Sequence, residues 1–145
     1  MAELPFALYS RGGRELLGAP PWGDGTARFG YGLPVFRACG FECVYCGRVL
    51  RAYEEFLNIS IDHVIPTNTV QNGFPKEWVA DLINLVTAYR ACNEFLNGYR
   101  VQNAPPVTLE EFCDLRDHHF LLKRDWVKSR HERERARHTD LGLGS

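Results

Sequence analysis

The spacing of hydrophobic and polar residues predicts little regular structure in the first quarter of the chain and several short elements after it. Residues 1–34 are rich in Gly and Pro and have no helical or strand period, which predicts an irregular or partly disordered arm. A short helix is expected to start at Pro34 and to end at Gly40. Residues 41–50, built around a Cys-Val-Tyr-Cys segment, are expected to form a hairpin.

The middle of the chain predicts two strands and a helix. Residues 57–65 alternate apolar and polar side chains as far as Asp62, which is typical of a half-buried strand, and Pro66 stops this strand. After a polar loop and a helical turn, the apolar run at 82–86 is a plausible second strand. Residues 90–97 fit a short helix that is closed by a glycine.

A long amphipathic helix is expected in the last third of the chain. Thr108 and Glu111 form the capping-box pattern of a helix start. The apolar stripe fades by Ser129, so the basic end of the helix is expected to project into solvent. The apolar positions predicted to form the stripe are Leu109, Phe112, Cys113, Leu115, Phe120, Leu121, Leu122, Trp126 and Val127.

Composition and charge narrow the class of protein. With 145 residues, of which 45% are hydrophobic, the chain suits one domain with a modest core. It contains neither a signal-peptide profile nor an apolar run of about 18 residues, so a soluble cytoplasmic protein without a membrane partner is expected. The net charge is −1, but residues 123–138 hold seven Lys or Arg against three acids. This +4 segment suits a polyanionic partner, or it is a solvated helix end with ion pairs that also carries His131 and His138.

The cysteines point to metal binding or to buried thiols. An odd number of cysteines without a secretion signal argues against a disulfide framework. The five cysteines are Cys39, Cys43, Cys46, Cys92 and Cys113.

Four short motifs follow one another on the predicted order of strand, loop, strand and helix. They are Cys43-x2-Cys46, Asp62-His63-x2-Pro66, Asn84-Leu85-Val86 and Cys92-Asn93. Over residues 41–100 this order resembles the HNH (His-Me finger) endonucleases, in which the second Asn likewise follows the first by nine positions. The resemblance implies an α+β fold with a small ββα-metal core, a flanking hairpin and a long C-terminal helix. It divides the chain into an arm (1–34), a nuclease core (35–104), the C-terminal helix (105–138) and a tail (139–145).

The residues of these motifs suit the hydrolysis of a phosphodiester. The imidazole of His63 has a reference pKa of about 6.5 and is therefore available in its neutral form at pH 7. In that form it can act as a general base on water. Asp62 and Asn93 offer the hard oxygen ligands that Mg²⁺, or a similar ion such as Mn²⁺, prefers. The family resemblance implies that Asn84 bonds the backbone after His63 and orients that side chain. The expected partner is DNA, with Arg90 and Arg100 as phosphate contacts or ordinary surface cations, and a homodimer would be a simple route to cutting both strands.

The resemblance also implies a structural Zn²⁺ site, but one ligand is missing. Cys43, Cys46 and Cys92 match three cysteines of two zinc knuckles, while Tyr89 stands where the fourth would be, and a protonated phenol is a poor zinc ligand. Three outcomes are open. Another ligand completes the zinc site, or three thiolates and a water hold zinc weakly, or zinc is absent and Tyr89 packs in its place. The candidate replacements are Cys113, Cys39, His118 and His119.

Two other classes of protein remain open at this stage. The first is a non-catalytic, zinc-containing module that binds nucleic acid on the same fold. The second is a thiol redox protein that uses Cys43 and Cys46, although the chain lacks the βαβ pattern expected around such a motif.

Overall fold

The computed structural model describes residues 4–18 and 28–144 and shows an α+β chain. Short helices and turns surround a two-stranded sheet, and one long helix packs across them. The helices and strands are α1 (Leu33–Ala38), α2 (Tyr53–Phe56), β1 (Ile59–His63), α3 (Lys76–Val79), β2 (Leu85–Tyr89), α4 (Arg90–Phe95) and α5 (Leu109–Asp140). Single 3-10 turns occupy Pro5–Leu8, Ser10–Gly13, Thr67–Asn72, Leu82–Asn84 and Leu96–Gly98.

The two strands pair antiparallel, with the end of β1 beside the start of β2. Asp62 lies opposite Val86, and His63 lies opposite Leu85. One residue further on, the Val64 N–H donates to the carbonyl oxygen of Asn84 over 2.9 Å. The Asp-His pair therefore lies next to the turn that precedes β2.

The second strand begins later than the sequence predicted, because residues 82–84 form a turn instead. Asp81 is buried, and its carboxylate accepts a hydrogen bond of 3.0 Å from the Ile83 N–H. Such a bond between a side chain and the local backbone competes with strand pairing. The strand consequently covers Leu85–Tyr89 rather than 82–86.

The loop with the first two motif cysteines lies against β2. The hairpin expected at 41–50 is reduced to a single bridge between Glu42 and Val49. Gly47 has a φ of +79°, a value that Gly adopts without the steric cost of a Cβ. The Val44 N–H donates to Thr87 O over 3.1 Å, which brings the loop to the sheet.

The N-terminal arm contributes to the core over its described part. Residues 4–18 lack strands and α-helices, in keeping with the expected irregular structure, but Phe6 and Tyr9 are buried. The Tyr9 hydroxyl donates to the Leu85 carbonyl oxygen, which ties the arm to β2. Positions 1–3 and 19–27 of the predicted arm, and 145 of the tail, lie outside the described residues.

Helix α5 begins at the predicted cap. The Thr108 side chain accepts a hydrogen bond of 3.1 Å from the Glu111 N–H, and the Glu111 carboxylate accepts one of 2.8 Å from the Val107 N–H. Beyond Glu134, the residues of α5 are exposed, as expected of the basic end. Across the described residues, every helix is too short or too polar to cross a membrane.

The buried face of α5 differs from the predicted apolar stripe. Leu121, Leu122 and Trp126 are exposed, since at 100° per residue they lie on the flanks and back of the face that contains Phe120 and Val127. Polar side chains occupy part of the buried face instead, and three of its seven buried residues have basic side chains. Those three are Arg116, His119 and Lys123.

Candidate functional site

An open hollow of about 220 Å³ lies between the end of β1, helix α4 and helix α5. Three of the four predicted site residues, Asp62, His63 and Asn93, line it. Asn84 lies behind the hollow and is fully buried. Strict strand alternation would send Asp62 and His63 to opposite faces, but both border the same space because β1 ends at His63.

The Asp62 carboxylate is held by two side chains through one of its oxygens. Lys123 Nζ lies 2.6 Å from Oδ2, and the Tyr45 hydroxyl also donates to Oδ2. Burial beside this carboxylate raises the pKa of Tyr45, so its phenol remains a proton donor. The second oxygen, Oδ1, has no hydrogen-bond partner among residues 4–18 and 28–144. Asp62 is thus fixed at one oxygen and has the other available for a ligand.

His63 is neutral at physiological pH. Burial lowers the pKa of its imidazole below the usual value, since a charged ring loses water contacts. The Asp62 carboxylate opposes this shift, and the Lys123 ammonium adds to it. A neutral ring that borders an open hollow can accept a proton from water or from a substrate hydroxyl.

Asn84 joins the segment after His63 to the turn before β2. Its Oδ1 accepts from the Ile65 N–H, and its Nδ2 donates to the carbonyl oxygens of Ile65 and Val79, each over 2.9 Å. This is the bond to the loop after His63 that the resemblance implied. All three bonds are buried, so the position of this backbone depends on the amide.

Asn93 presents its side-chain oxygen rather than its nitrogen. Nδ2 donates to Ile61 O over 3.0 Å and to Ser60 Oγ over 3.2 Å. Because a carbonyl oxygen only accepts, the Ile61 contact identifies the atom facing it as nitrogen. Asn93 Oδ1 has no partner within the described ranges, and its residue lines the same hollow as Asp62. A carboxylate oxygen and an amide oxygen on one hollow are a donor set that suits a hard divalent cation.

The two candidate phosphate contacts lie in different places. Arg100 borders the hollow and donates through its guanidinium to the carbonyl oxygens of Asn97 and Tyr99. Arg90 is absent from the lining and donates instead to the Leu57 carbonyl oxygen over 3.2 Å. Only Arg100 can therefore reach a ligand in the hollow.

The three motif cysteines come together at a second place. The sulfurs of Cys43, Cys46 and Cys92 all lie within 4.8 Å of one another, an arrangement that could hold a metal ion. Hydrogen bonds from the Cys43 and Cys92 thiols lower the pKa of Cys46, so one thiolate of the group is favoured. Cys92 immediately precedes Asn93, so this cluster and the hollow share helix α4.

None of the four replacement ligands proposed from the sequence belongs to this cluster. The Cys113 thiol donates to the Gly13 carbonyl oxygen over 3.0 Å. His119 is buried against Tyr99 and Asn103, and its neighbour His118 is exposed. Cys39 is the remaining candidate, and it lies outside the group of three sulfurs.

His131, which the sequence analysis placed on the solvated end of the C-terminal helix, lies next to the cluster. His131 Nε2 lies 3.1 Å from Cys92 Sγ, and the His131 ring packs edge-on against Phe95 at 4.9 Å between centroids. The sequence contained one signal for this contact, because His131 follows the buried Val127 by four positions on α5. The charged residues around His131 give this segment the composition of a solvated surface, so the spacing alone did not predict the contact.

Comparison with known proteins yields no relative: no protein-family model, no curated protein and no solved structure matches this chain.

Proposed function

We propose that the chain is a metal-dependent endonuclease of the HNH type that hydrolyses phosphodiester bonds in DNA. The observation that carries this proposal is the hollow shared by Asp62, His63 and Asn93, with Asn84 bonded to the loop behind them. The chain order β1, β2, α4, with β1 and α4 bordering the hollow, supports this proposal, because the motif resemblance implies a ββα core.

In this mechanism, His63 is the general base. Its neutral imidazole takes a proton from the attacking water, and burial favours that neutral form before the reaction. Asn84 keeps the Ile65 backbone in place and so limits the positions that His63 can occupy. Arg100, at the rim, contributes positive charge toward a phosphate.

Asp62 and Asn93 would hold the catalytic divalent ion, Mg²⁺ or Mn²⁺. Asp62 Oδ1 and Asn93 Oδ1 are both free of partners among the described residues, and both side chains are held in place through their other polar atoms. When bound, such an ion supplies Lewis-acid stabilisation of the charge that develops on the phosphate and on the leaving oxygen. Lys123 and Tyr45 keep the Asp62 carboxylate oriented for this role.

The proposal includes a structural Zn²⁺ ion at Cys43, Cys46 and Cys92. Three sulfurs at this spacing suit zinc, which prefers thiolate ligands. An ion there would fix the first turn of α4, from which Asn93 faces the hollow. Its role would be separate from the chemical step.

A plasmid-nicking assay tests the catalytic proposal. We expect cleavage with Mg²⁺ or Mn²⁺, its loss on addition of chelator, and a decrease of at least about 10²-fold for His63→Ala. His118→Ala is the matched control, because this histidine is exposed on α5 and does not line the hollow. Chelator-resistant cleavage, or full activity of His63→Ala, would refute the mechanism. DNA binding without any cleavage would favour the non-catalytic module.

A further inference from the structure

The contact between Cys92 and His131 supplies the ligand that the cysteine cluster lacks. We propose that His131 is the fourth ligand of a Cys3His zinc site, which Cys43, Cys46 and Cys92 complete. The site fastens the C-terminal helix α5 to the knuckle loop and to α4. This inference concerns a structural ion and does not depend on nuclease activity.

A tetrahedral zinc site forms here if the three sulfurs contract and the His131 ring turns toward them. Zn–S bonds of about 2.3 Å and Zn–N bonds of about 2.0–2.1 Å place ligand atoms about 3.5–3.8 Å apart. The sulfurs lie within 4.8 Å of one another, and His131 Nε2 lies 3.1 Å from Cys92 Sγ but not within 4.8 Å of all three sulfurs. Closing the group around an ion therefore requires the sulfurs to contract and the imidazole to move from Cys92 toward the other two sulfurs.

His131 is held on the cluster side of α5 by its neighbours. Its ring packs edge-on against Phe95, and the guanidinium of the preceding Arg130 lies over the same Phe95 ring, 4.9 Å from its centroid. A surface hollow beside the cluster is lined by His131 together with Cys46 and Tyr89. The imidazole thus occupies the space next to the position where a fourth cysteine would otherwise stand.

Tyr89 does not compete for the metal. Arg48 stacks over its ring at 4.8 Å from the centroid, and a tyrosine hydroxyl is not among the ligands that zinc ordinarily takes in proteins. Within the described ranges, the other proposed ligands are engaged elsewhere or exposed. His131 places an imidazole nitrogen 3.1 Å from one of the three sulfurs.

The charges around the site suit an anionic metal centre. Three thiolates and one neutral imidazole around Zn²⁺ carry a net charge of −1. The hollows that border Cys46 and His131 are lined by several cations, which compensate this charge. They are Arg48, Arg124, Lys128 and Arg135.

Metal binding to the full chain tests the assignment directly. Purified protein is stripped of metal and titrated with Co²⁺ and with Zn²⁺ against a chromophoric chelator, and circular dichroism checks the fold of each variant. We expect one tetrahedral ion per chain and a loss of Zn²⁺ affinity of at least about tenfold in His131→Ala. His138→Ala, an exposed histidine seven residues further along the same helix, should bind as the wild type does.

Two further variants keep the proposal testable if His131→Ala folds poorly. In His131→Cys, tight binding should persist. The thiolate-to-cobalt absorption should increase because four sulfurs would bind instead of three, so the wild-type and variant intensities should stand in a ratio of about 3:4. In Tyr89→Cys, the affinity should stay within about threefold of wild type, because the site is already closed.

Three results would overturn the assignment. The first is a His131→Ala protein whose Zn²⁺ affinity and cobalt spectrum match the wild type. The second is a His131→Cys protein without added thiolate absorption. The third is a Tyr89→Cys protein that binds zinc more than tenfold more tightly, which would mean that the native site has three protein ligands.

Discussion

Lys123 on α5 donates a hydrogen bond of 2.6 Å to Asp62 at the end of β1, and both side chains are buried. The same ammonium also donates to the carbonyl oxygens of His63 and Val64, each over 3.1 Å. Burial lowers the pKa of Lys123, while the Asp62 carboxylate favours its charged form. One cation therefore connects the long helix to the backbone and to the carboxylate of the candidate site.

Replacing Lys123 by Met should destabilise the fold strongly. The change leaves the Asp62 carboxylate buried with the Tyr45 hydroxyl as its remaining partner, and breaking a buried ion pair from one side typically costs about 3–5 kcal/mol. Urea unfolding measures this loss, and Lys128→Met, an exposed lysine on the same helix, should change stability by less than about 0.5 kcal/mol. In Lys123→Met/Asp62→Asn, part of the loss should be recovered, since the uncompensated charge is gone. No recovery would mean that Lys123 stabilises the fold by packing alone.

Asn84→Ala should lower both stability and activity. It leaves the Ile65 N–H and the carbonyl oxygens of Ile65 and Val79 without their buried partner, at about 1–3 kcal/mol for each unsatisfied group before relaxation. We expect a loss of about 2–4 kcal/mol in chemical denaturation and slower plasmid nicking under conditions where the variant is still folded. The exposed Asn72→Ala is the control. An Asn84→Ala protein with unchanged nicking would remove the orienting role.

The sequence predicted those features of the fold that depend on contacts between residues close together in the chain. The strand that ends in Asp62-His63 and the cap at Thr108 follow from patterns within a few residues, and both are present. The expected second strand was wrong by three residues, because the Asp81 side chain stabilises a turn that no apolar pattern shows.

The partners of the site residues lie far away along the chain, which is why sequence patterns did not reveal them. Lys123 is 61 positions from Asp62, and His131 is 39 positions from Cys92. In a helix rich in Lys and Arg, both belong to a segment that has the composition of a solvated surface. Their spacing from Phe120 and Val127, at three or four residues, was the signal that placed Lys123 on the buried face and the partly buried His131 on the same side of the helix.

Stability should fall in mild acid because of His119. Burial lowers the pKa of this imidazole to about 4, whereas in the unfolded chain it returns to about 6.5. The unfolded state therefore binds about one more proton between these values, so the contribution is complete above pH 6.5 and is lost as the pH falls toward 4. Thermal unfolding between pH 4 and 7 should show a shallower pH dependence in His119→Gln than in the exposed His118→Gln. Equal slopes for the two variants would contradict this assignment.

Asn93→Ala should weaken the catalytic ion without affecting the zinc site. The change removes the amide oxygen from the hollow but leaves the cysteine cluster intact. We expect the Mg²⁺ or Mn²⁺ concentration for half-maximal nicking to rise by at least about tenfold, with unchanged zinc content. Asn97→Ala, which lines the same hollow one helical turn later, is the matched control. An unchanged metal requirement in Asn93→Ala would exclude this residue as a ligand.

The exposed basic end of α5 should govern the salt dependence of DNA binding. Arg133 and Arg137 are exposed, whereas Arg130 is engaged with Phe95 and is left unchanged. If both free cations contact phosphates, replacing them by Gln should flatten the slope of log K against log salt concentration by roughly two, since each contact contributes about 0.9 for duplex DNA. Binding is measured with a catalytically inactive His63→Ala background so that the DNA stays intact. Replacing two exposed cations elsewhere, Arg51 and Lys76, should leave the slope unchanged. An unchanged slope in the α5 variant would mean that this end of the helix is solvated in the complex and that DNA is bound elsewhere.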